Sequence, residues 1–338
     1  MIGARDLPYD SPDFSTIATK GARALPLHRR RTRAIRPKIQ LSAEKTMTVR
    51  PRRSVLYMPG SNARALEKAK TIAADALILD LEDAVAPDAK AQARAQVADA
   101  VKAGGYGPRE LVIRINGLDT PWGAEDLRAA VAAGPDAILL PKPASSGDID
   151  RASAAMRQAG AGEAMKLWAM IETPIAILKA GEIASAARHA GSRLSVLVMG
   201  TNDLIKETGA TLDAERTSAL YWLSAALTAA RAYGLEILDG VYNNFRNMDG
   251  YARECQQGRA LGFDGKTLIH PDQVTLANEV FSPPAAEVEF ARKIIAAFDM
   301  PEHKGKGVIN LEGRMVELLH ADIARRTVAI ADAIAARG

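Results

Sequence analysis

The sequence predicts an α/β fold, a (β/α)8 barrel followed by a small C-terminal α+β module. Three observations carry this. Eight short apolar runs alternate with Ala-rich stretches of 3.6-residue periodicity over about 230 residues. The runs are continuously apolar, as barrel strands covered on both faces must be. After Phe281-Ser-Pro-Pro284 the rhythm changes, and the remaining 55 or so residues are too few to hold much core alone.

In chain order, the first run is Ser54–Met58, closed by Pro59-Gly60-Ser61-Asn62, with helical spacing over Ala63–Ala73. Ala76–Leu81 runs into Asp80-Leu-Glu82-Asp83, and Leu111–Ile115 into Arg114-Ile-Asn116-Gly117. Ala137–Leu140 stops at Pro141-Lys142-Pro143. Leu167–Ile171 breaks at Glu172-Thr173-Pro174, followed by a helical stretch over Ile175–Ala190. Leu194–Met199 breaks at Gly200-Thr-Asn-Asp203, and Ser218–Tyr233 is helical. Glu236–Asp239 leads to Tyr242-Asn243, and Lys266–Ile269 ends at His270-Pro271. The final module reads as a helix (Ala285–Phe298), a hairpin (Val308–Leu311 and Met315–Glu317) and a helix from about Ala321. An open doubly wound sheet is the alternative, but the turn after the first strand lacks the Gly-rich dinucleotide pattern. The domain boundaries expected are a leader over 1–50, the barrel over 51–282 and the module over 283–338.

Charge sorts the chain into two parts. Residues 1–46 hold ten Lys/Arg against four Asp/Glu, whereas residues 47–338 hold 34 against 36. The net charge of +4 is therefore a property of the leader and no argument for nucleic-acid binding. The leader reads as disordered, with Met47 the expected natural start. No apolar run approaches the roughly 18 residues of a membrane span. Cys255 stands alone, which excludes an internal disulfide and fits a reducing, cytoplasmic setting.

In a barrel the carboxyl ends of the strands build the active face. Here seven consecutive ends carry polar or charged groups, which helix capping alone does not explain. Each has an ordinary reading too. Glu82 and Asp83 could cap a helix near Asp88, Arg114 could be a structural ion-pair arginine, and His270 could be a packed histidine. Lys142 could pass for a Schiff-base lysine, but neighbouring carboxylates would hold its ammonium charged. Together, Glu172 and Asp203 suit a hard divalent cation, which takes one or two protein carboxylates and fills its shell with water and substrate. One arginine and one lysine beside them suit an anionic substrate.

The segments Arg53-Ser-Val-Leu-Tyr-Met-Pro-Gly-Ser61, Leu79-Asp-Leu-Glu-Asp-Ala84, Val112-Ile-Arg-Ile-Asn-Gly117 and Leu140-Pro-Lys142 occur in order at barrel spacing. So do Ile171-Glu-Thr-Pro174, Met199-Gly-Thr-Asn-Asp-Leu204 and Gly262-Phe-Asp-Gly-Lys-Thr-Leu-Ile-His-Pro271. With these motifs, residues 52–335 resemble the citrate lyase beta-subunit-like family, which includes malyl-CoA, β-methylmalyl-CoA and citramalyl-CoA lyases.

The resemblance implies that Glu172 and Asp203 hold Mg²⁺, or Mn²⁺ in its place. It implies that Arg114 binds substrate oxygens, with Glu172 also at the substrate, and that Glu82 and Asp83 are acids near the metal. It implies a homo-oligomer, trimer or hexamer, whose C-terminal module covers a neighbouring copy's site and offers an acid there. In this chain that acid is Glu317, one methylene longer than the family's commoner aspartate. The implied reaction cleaves or forms a 3-hydroxyacyl-CoA, giving acetyl- or propionyl-CoA plus a 2-oxoacid. A thioesterase or a malate-synthase-like outcome are the alternatives, and a catalytically silent barrel is the non-enzyme one. The CoA phosphates would meet Arg52, Arg53, Arg64 and Lys68 at the barrel mouth. Such a cleavage needs a deprotonated hydroxyl and a stabilised thioester enolate, tasks suited to a divalent cation and cationic side chains.

Overall fold

The computed structural model describes residues 49–337, so the expectations for the basic leader lie outside the described residues. The barrel begins β1 (Ser54–Pro59), α1 (Ala63–Ala69), β2 (Ala76–Asp80), α2 (Lys90–Ala103), β3 (Glu110–Arg114) and α3 (Gly123–Ala133). It continues β4 (Ala137–Leu140), α4 (Ser146–Gln158), β5 (Lys166–Ile171), α5 (Pro174–Leu178), α6 (Ala180–Ser185) and β6 (Leu194–Met199). It ends α7 (Thr201–Thr208), α8 (Leu220–Ala232), β7 (Glu236–Asp239), α9 (Met248–Leu261), β8 (Gly265–Leu268) and α10 (Val274–Phe281). The module adds α11 (Ala285–Asp299), β9 (Val308–Leu311), β10 (Arg314–Glu317) and α12 (Leu318–Ala335).

β1 pairs in parallel with both β2 and β8, which closes the sheet and excludes the open doubly wound alternative. Alternation along each strand separates two cores. Val55, Ile78, Val112, Trp168 and Leu238 point inward and fill the barrel, while Leu56, Leu77, Ile113 and Leu197 point outward beneath the helices.

Helix ends follow local chemistry. Asn62 caps α1 by accepting from Ala65 N–H, and Thr173 caps α5 with Pro174 in the first turn. The stretch expected as one helix over 175–190 is α5, α6 and a 3₁₀ turn at Ala186–Arg188. The backbone leaves helical angles at Lys179 (φ −109°, ψ 16°), so the two short helices meet at a bend. The last helix starts at Leu318, three residues earlier than expected. Glu317 and His320 form a reciprocal cap there, the Glu317 N–H donating to His320 Nδ1 at 2.9 Å.

The amino-terminal floor of the barrel is ionic. Arg52 donates to Glu110 (2.6 and 2.8 Å) and Glu236, and its guanidinium lies 5.3 Å from the Trp168 ring centre. Burial disfavours the Arg52 charge, but Glu236 and Glu110 outweigh it and hold the guanidinium protonated. The module packs at this same end. Arg326 bonds Asp264 (2.9 Å), which precedes β8, and Arg337 bonds Asp75 (3.2 Å), which precedes β2. Its own small core joins Ala291 and Ile294 of α11 to Ile309, Val316 and Ala321.

Candidate active site

Two-residue alternation makes Asp80 and Arg114 the last inward side chains of β2 and β3, and Glu172, one residue past β5, continues the inward phase of Trp168 and Met170, so all three arrive at the barrel mouth. Asp80 stands opposite Arg114 in register. It grips the guanidinium from Nε and Nη2, both at 2.7 Å, and also accepts from the N–H groups of Glu82 (2.9 Å) and Ala84 (3.1 Å). One carboxylate thus fixes both the arginine and the loop that carries Glu82 and Asp83. Arg114 Nη1 lies 2.7 Å from Glu82 and 3.2 Å from Asp83, and its guanidinium sits 5.0 Å from the Tyr57 ring centre. Glu82 and Asp83 therefore face Arg114 rather than capping a helix; no side chain caps the 3₁₀ turn at Pro87–Ala89.

Glu172 is fully buried. Its Oε1 accepts the Lys142 backbone N–H at 2.9 Å, while Oε2 has no hydrogen-bond partner. Burial first, then repulsion from Glu82, push its carboxyl up to about 8, against the pull of Arg114. Gly200 continues β6 beside it. A Cβ there would lie 2.3 Å from Glu172 Cβ and 2.7 Å from Oε2, so only glycine leaves the carboxylate its space. Asp203 follows in the first turn of α7, where the helix N-terminus favours a negative charge.

Lys142 links Asp203 to Glu82, since its Nζ lies 3.2 Å from Asp203 Oδ1 and 3.7 Å from Glu82 Oε1. Burial lowers its affinity for a proton, but the Asp203 bond and the surrounding acids raise it further, so it is a charged ammonium and not a free amine. Burial also raises Glu82, despite Arg114, to about 7. The Asp83 carboxyl is held low by Glu82 and Arg114, which outweigh burial.

Asp80, Asp83, Arg114 and Asp203 line a cavity of about 350 Å³ with Tyr57, Met170, Gly200 and Ile269, while Glu82 and Lys142 line a second of about 980 Å³. Around the mouth, five carboxyl groups (Asp80, Glu82, Asp83, Glu172 and Asp203) meet two cations, Arg114 and Lys142. The donors fit a hard divalent cation, with one desolvated carboxylate oxygen left unsatisfied and a second carboxylate nearby. Among the described residues no three His, Cys, Asp or Glu side chains cluster as a complete metal cage. The rest of a coordination shell would have to be water and substrate.

Other expected residues lie elsewhere. Arg53 precedes β1 and is clamped by Asp75 (2.7 and 2.8 Å) at the barrel floor, as Arg52 is by Glu110. The expectation that these two contact CoA at the mouth is corrected: a residue just before a strand and one just after it sit at opposite ends of the barrel. Arg64 and Lys68 are exposed on α1, which starts from the mouth. His270 accepts from Asp272 N–H (3.3 Å) and stacks on Phe245 with ring centres 4.4 Å apart, a structural histidine. Asp239 is buried between Arg216 and Lys266 (2.8 and 2.9 Å). Cys255 is buried, and burial pushes its thiol up to about 11. Glu317 is exposed at the start of α12, in the module that Arg326 and Arg337 tie to the floor, and none of its hydrogen bonds or ion pairs reaches the mouth residues. Sequence reasoning passed over the organising role of Asp80 and the space at Gly200. The register opposite Arg114 and Glu172 is the signal that finds them.

The family model described as HpcH/HpaI aldolase/citrate lyase matches residues 53–271. The chain belongs to this family. Among curated relatives, (3S)-malyl-CoA thioesterase of Cereibacter sphaeroides (strain KD131) is 50% identical over 286 residues, 85% of this chain and 96% of the relative. Citrate lyase subunit beta of Haemophilus influenzae is 38% identical over 271 residues, 79% of this chain and 92% of the relative. Among solved structures, protein CitE from Mycobacterium tuberculosis, in complex with magnesium, acetoacetate and coenzyme A, superposes with a TM-score of 0.64. It is 28% identical and covers 83% of this chain and 98% of its own. This citrate-lyase-family chain thus shares its fold with a protein crystallised with magnesium and coenzyme A, and among its described residues no helix is long and apolar enough to cross a membrane.

Proposed function

We propose that this citrate-lyase-family protein is a Mg²⁺-dependent enzyme acting on a malyl-CoA-type thioester, and that it hydrolyses the thioester to the hydroxy acid and free CoA. The observation carrying the proposal is the desolvated, half-satisfied Glu172 beside Asp203, Arg114 and Glu82, in a chain 50% identical to proteins named (3S)-malyl-CoA thioesterase.

In this reading Glu172 and Asp203 hold the cation, and Glu172 borders the substrate. When bound, the cation supplies Lewis acidity and charge to the hydroxy-acid end. Arg114, fixed by Asp80, presents its guanidinium to substrate oxygens in a low-dielectric setting where such donors act strongly. Glu82, pushed up to about 7, can take a proton from an attacking water near neutral pH, with Asp83 ionised beside it. The water oxygen forms the new C–O bond and the C–S bond breaks, with the proton taken by Glu82 passing to the leaving thiolate. The cavity of about 350 Å³ suits the acid end and leaves the CoA outside the mouth, where Arg64 and Lys68 are available to its phosphates.

The module enters through a second copy. It exposes Val308, Met315, Leu318, Leu319 and Ile323 around Glu317, while Ile175, Leu178, Leu212, Tyr221 and Ile269 are exposed near the mouth side of the barrel. Packing one face on the other would bury both and bring Glu317 to the neighbour's mouth as an acid/base group, in a closed ring such as a trimer or hexamer.

Carbon–carbon cleavage is the second reading, favoured by the 36–38% identity to citrate lyase beta subunits. Incubation with (3S)-malyl-CoA and Mg²⁺ separates the two. Malate plus free CoA supports hydrolysis, and glyoxylate plus acetyl-CoA supports the lyase. Glu172→Ala or Asp203→Ala should lower Mg²⁺-dependent turnover roughly 10³-fold or more, and near-normal activity in either would refute the assignment.

A further inference from the structure

We propose that Lys142 is a tethered, exchangeable counter-ion of this site, whose ammonium competes with a divalent cation for Asp203 while its backbone keeps Glu172 in place. The inference rests on the metal reading given above.

One residue touches all three carboxylates. The Lys142 N–H donates to Glu172 Oε1 (2.9 Å), and its Nζ lies 3.2 Å from Asp203 Oδ1 and 3.7 Å from Glu82 Oε1. The flanking Pro141 and Pro143 have no N–H, so Lys142 carries the segment's one backbone donor. Its φ of +49° is a left-handed conformation unfavourable for a side chain larger than glycine, and here it serves both contacts at once.

The two carboxylates are unequally prepared. Glu172 keeps an unpartnered Oε2, whereas Asp203 Oδ1 is capped by the ammonium. A divalent cation and an ammonium on one carboxylate repel each other. The lysine side chain is 42% exposed on a flexible stem, so it can leave Asp203 for solvent without disturbing the core. Glu172, held by the backbone, stays where it is. Cation binding at Asp203 then becomes an exchange of one positive charge for another, and Lys142 sets how weakly the site holds its metal.

Mn²⁺ titrations of wild type, Lys142→Met and Lys142→Arg by calorimetry and electron paramagnetic resonance test this. Lys142→Met should bind Mn²⁺ roughly tenfold more tightly than wild type, and Lys142→Arg within about twofold of it. In the unmutated protein, acetylation of Lys142 by an N-hydroxysuccinimide ester, followed by peptide mass spectrometry, should speed up several-fold on adding Mn²⁺. Labelling of Lys68 should not change. Equal or weaker binding by Lys142→Met, or labelling of Lys142 that Mn²⁺ leaves unchanged or slows, overturns the counter-ion role while leaving the metal reading intact. Absence of Mn²⁺ binding in both wild type and Lys142→Met overturns the metal reading, and this inference with it.

Discussion

A carboxyl group surrounded by protein, with one oxygen satisfied and one not, gives up its proton reluctantly. Burial and Glu82 raise Glu172 from an ordinary 4.5 to about 8. A raised folded value means a contribution to stability fully present below about pH 4.5 and lost as pH rises through about 8. Glu82, raised to about 7, acts in the same direction. In EDTA, the melting temperature should therefore fall from pH 5 to pH 9, and Glu172→Gln should flatten the fall. Cation binding should also release a proton below pH 8, read by calorimetry in buffers of different ionisation enthalpy. A pH-independent melting temperature in EDTA would contradict the burial argument. At this scale the sequence was informative because strand-end carboxylates stand out where an apolar run stops. It misled for Arg53, whose motif neighbours on the far side of β1 do reach the mouth while it pairs with Asp75. Linear adjacency across a strand spans the depth of the barrel.

Elements tell a different story for the module. Its hairpin and helix were legible from turn residues and period, and the Glu317–His320 cap explains the earlier start of α12. What no local pattern reveals is which end of the barrel the module occupies. That is decided by long-range pairs, Arg326 to Asp264 and Arg337 to Asp75. Since Glu317 is exposed in the module that Arg326 and Arg337 tie to the floor, the proposed sharing of sites has a direct test. Glu317→Ala and Glu172→Ala proteins, each inactive alone, should recover a fraction of wild-type turnover when unfolded together and reassembled. Mixed copies can then form a site with an intact Glu172 and an intact Glu317. No recovery, or full activity of Glu317→Ala alone, would remove Glu317 from the reaction.

For the whole molecule, eight continuous apolar runs were enough to read the barrel, because burial on both faces leaves each strand few alternatives. Its ionic floor was not readable, since it joins residues far apart in the chain, Arg52 to Glu236 across 184 positions and Arg337 to Asp75 across 262. Arg52→Ala would leave the buried Glu110 and the largely buried Glu236 without their shared cation. That should cost about 3–5 kcal/mol, measured by urea unfolding, with little effect on Mg²⁺ affinity at the opposite end. A loss below about 1 kcal/mol would mean that packing around Trp168 and the neighbouring Arg50 and Arg326 hold the floor without Arg52.

The same plug makes the reaction chamber a room with one door. With Arg52 against Trp168 closing the floor, the way to Arg114 and Asp203 lies past the strand ends. A thioester with its long arm across that doorway shuts its own acid end inside. Departure is then sequential, CoA before the hydroxy acid. Under the hydrolytic reading, malate should inhibit competitively against malyl-CoA and free CoA should give a mixed pattern. The reverse pattern would mean a second exit.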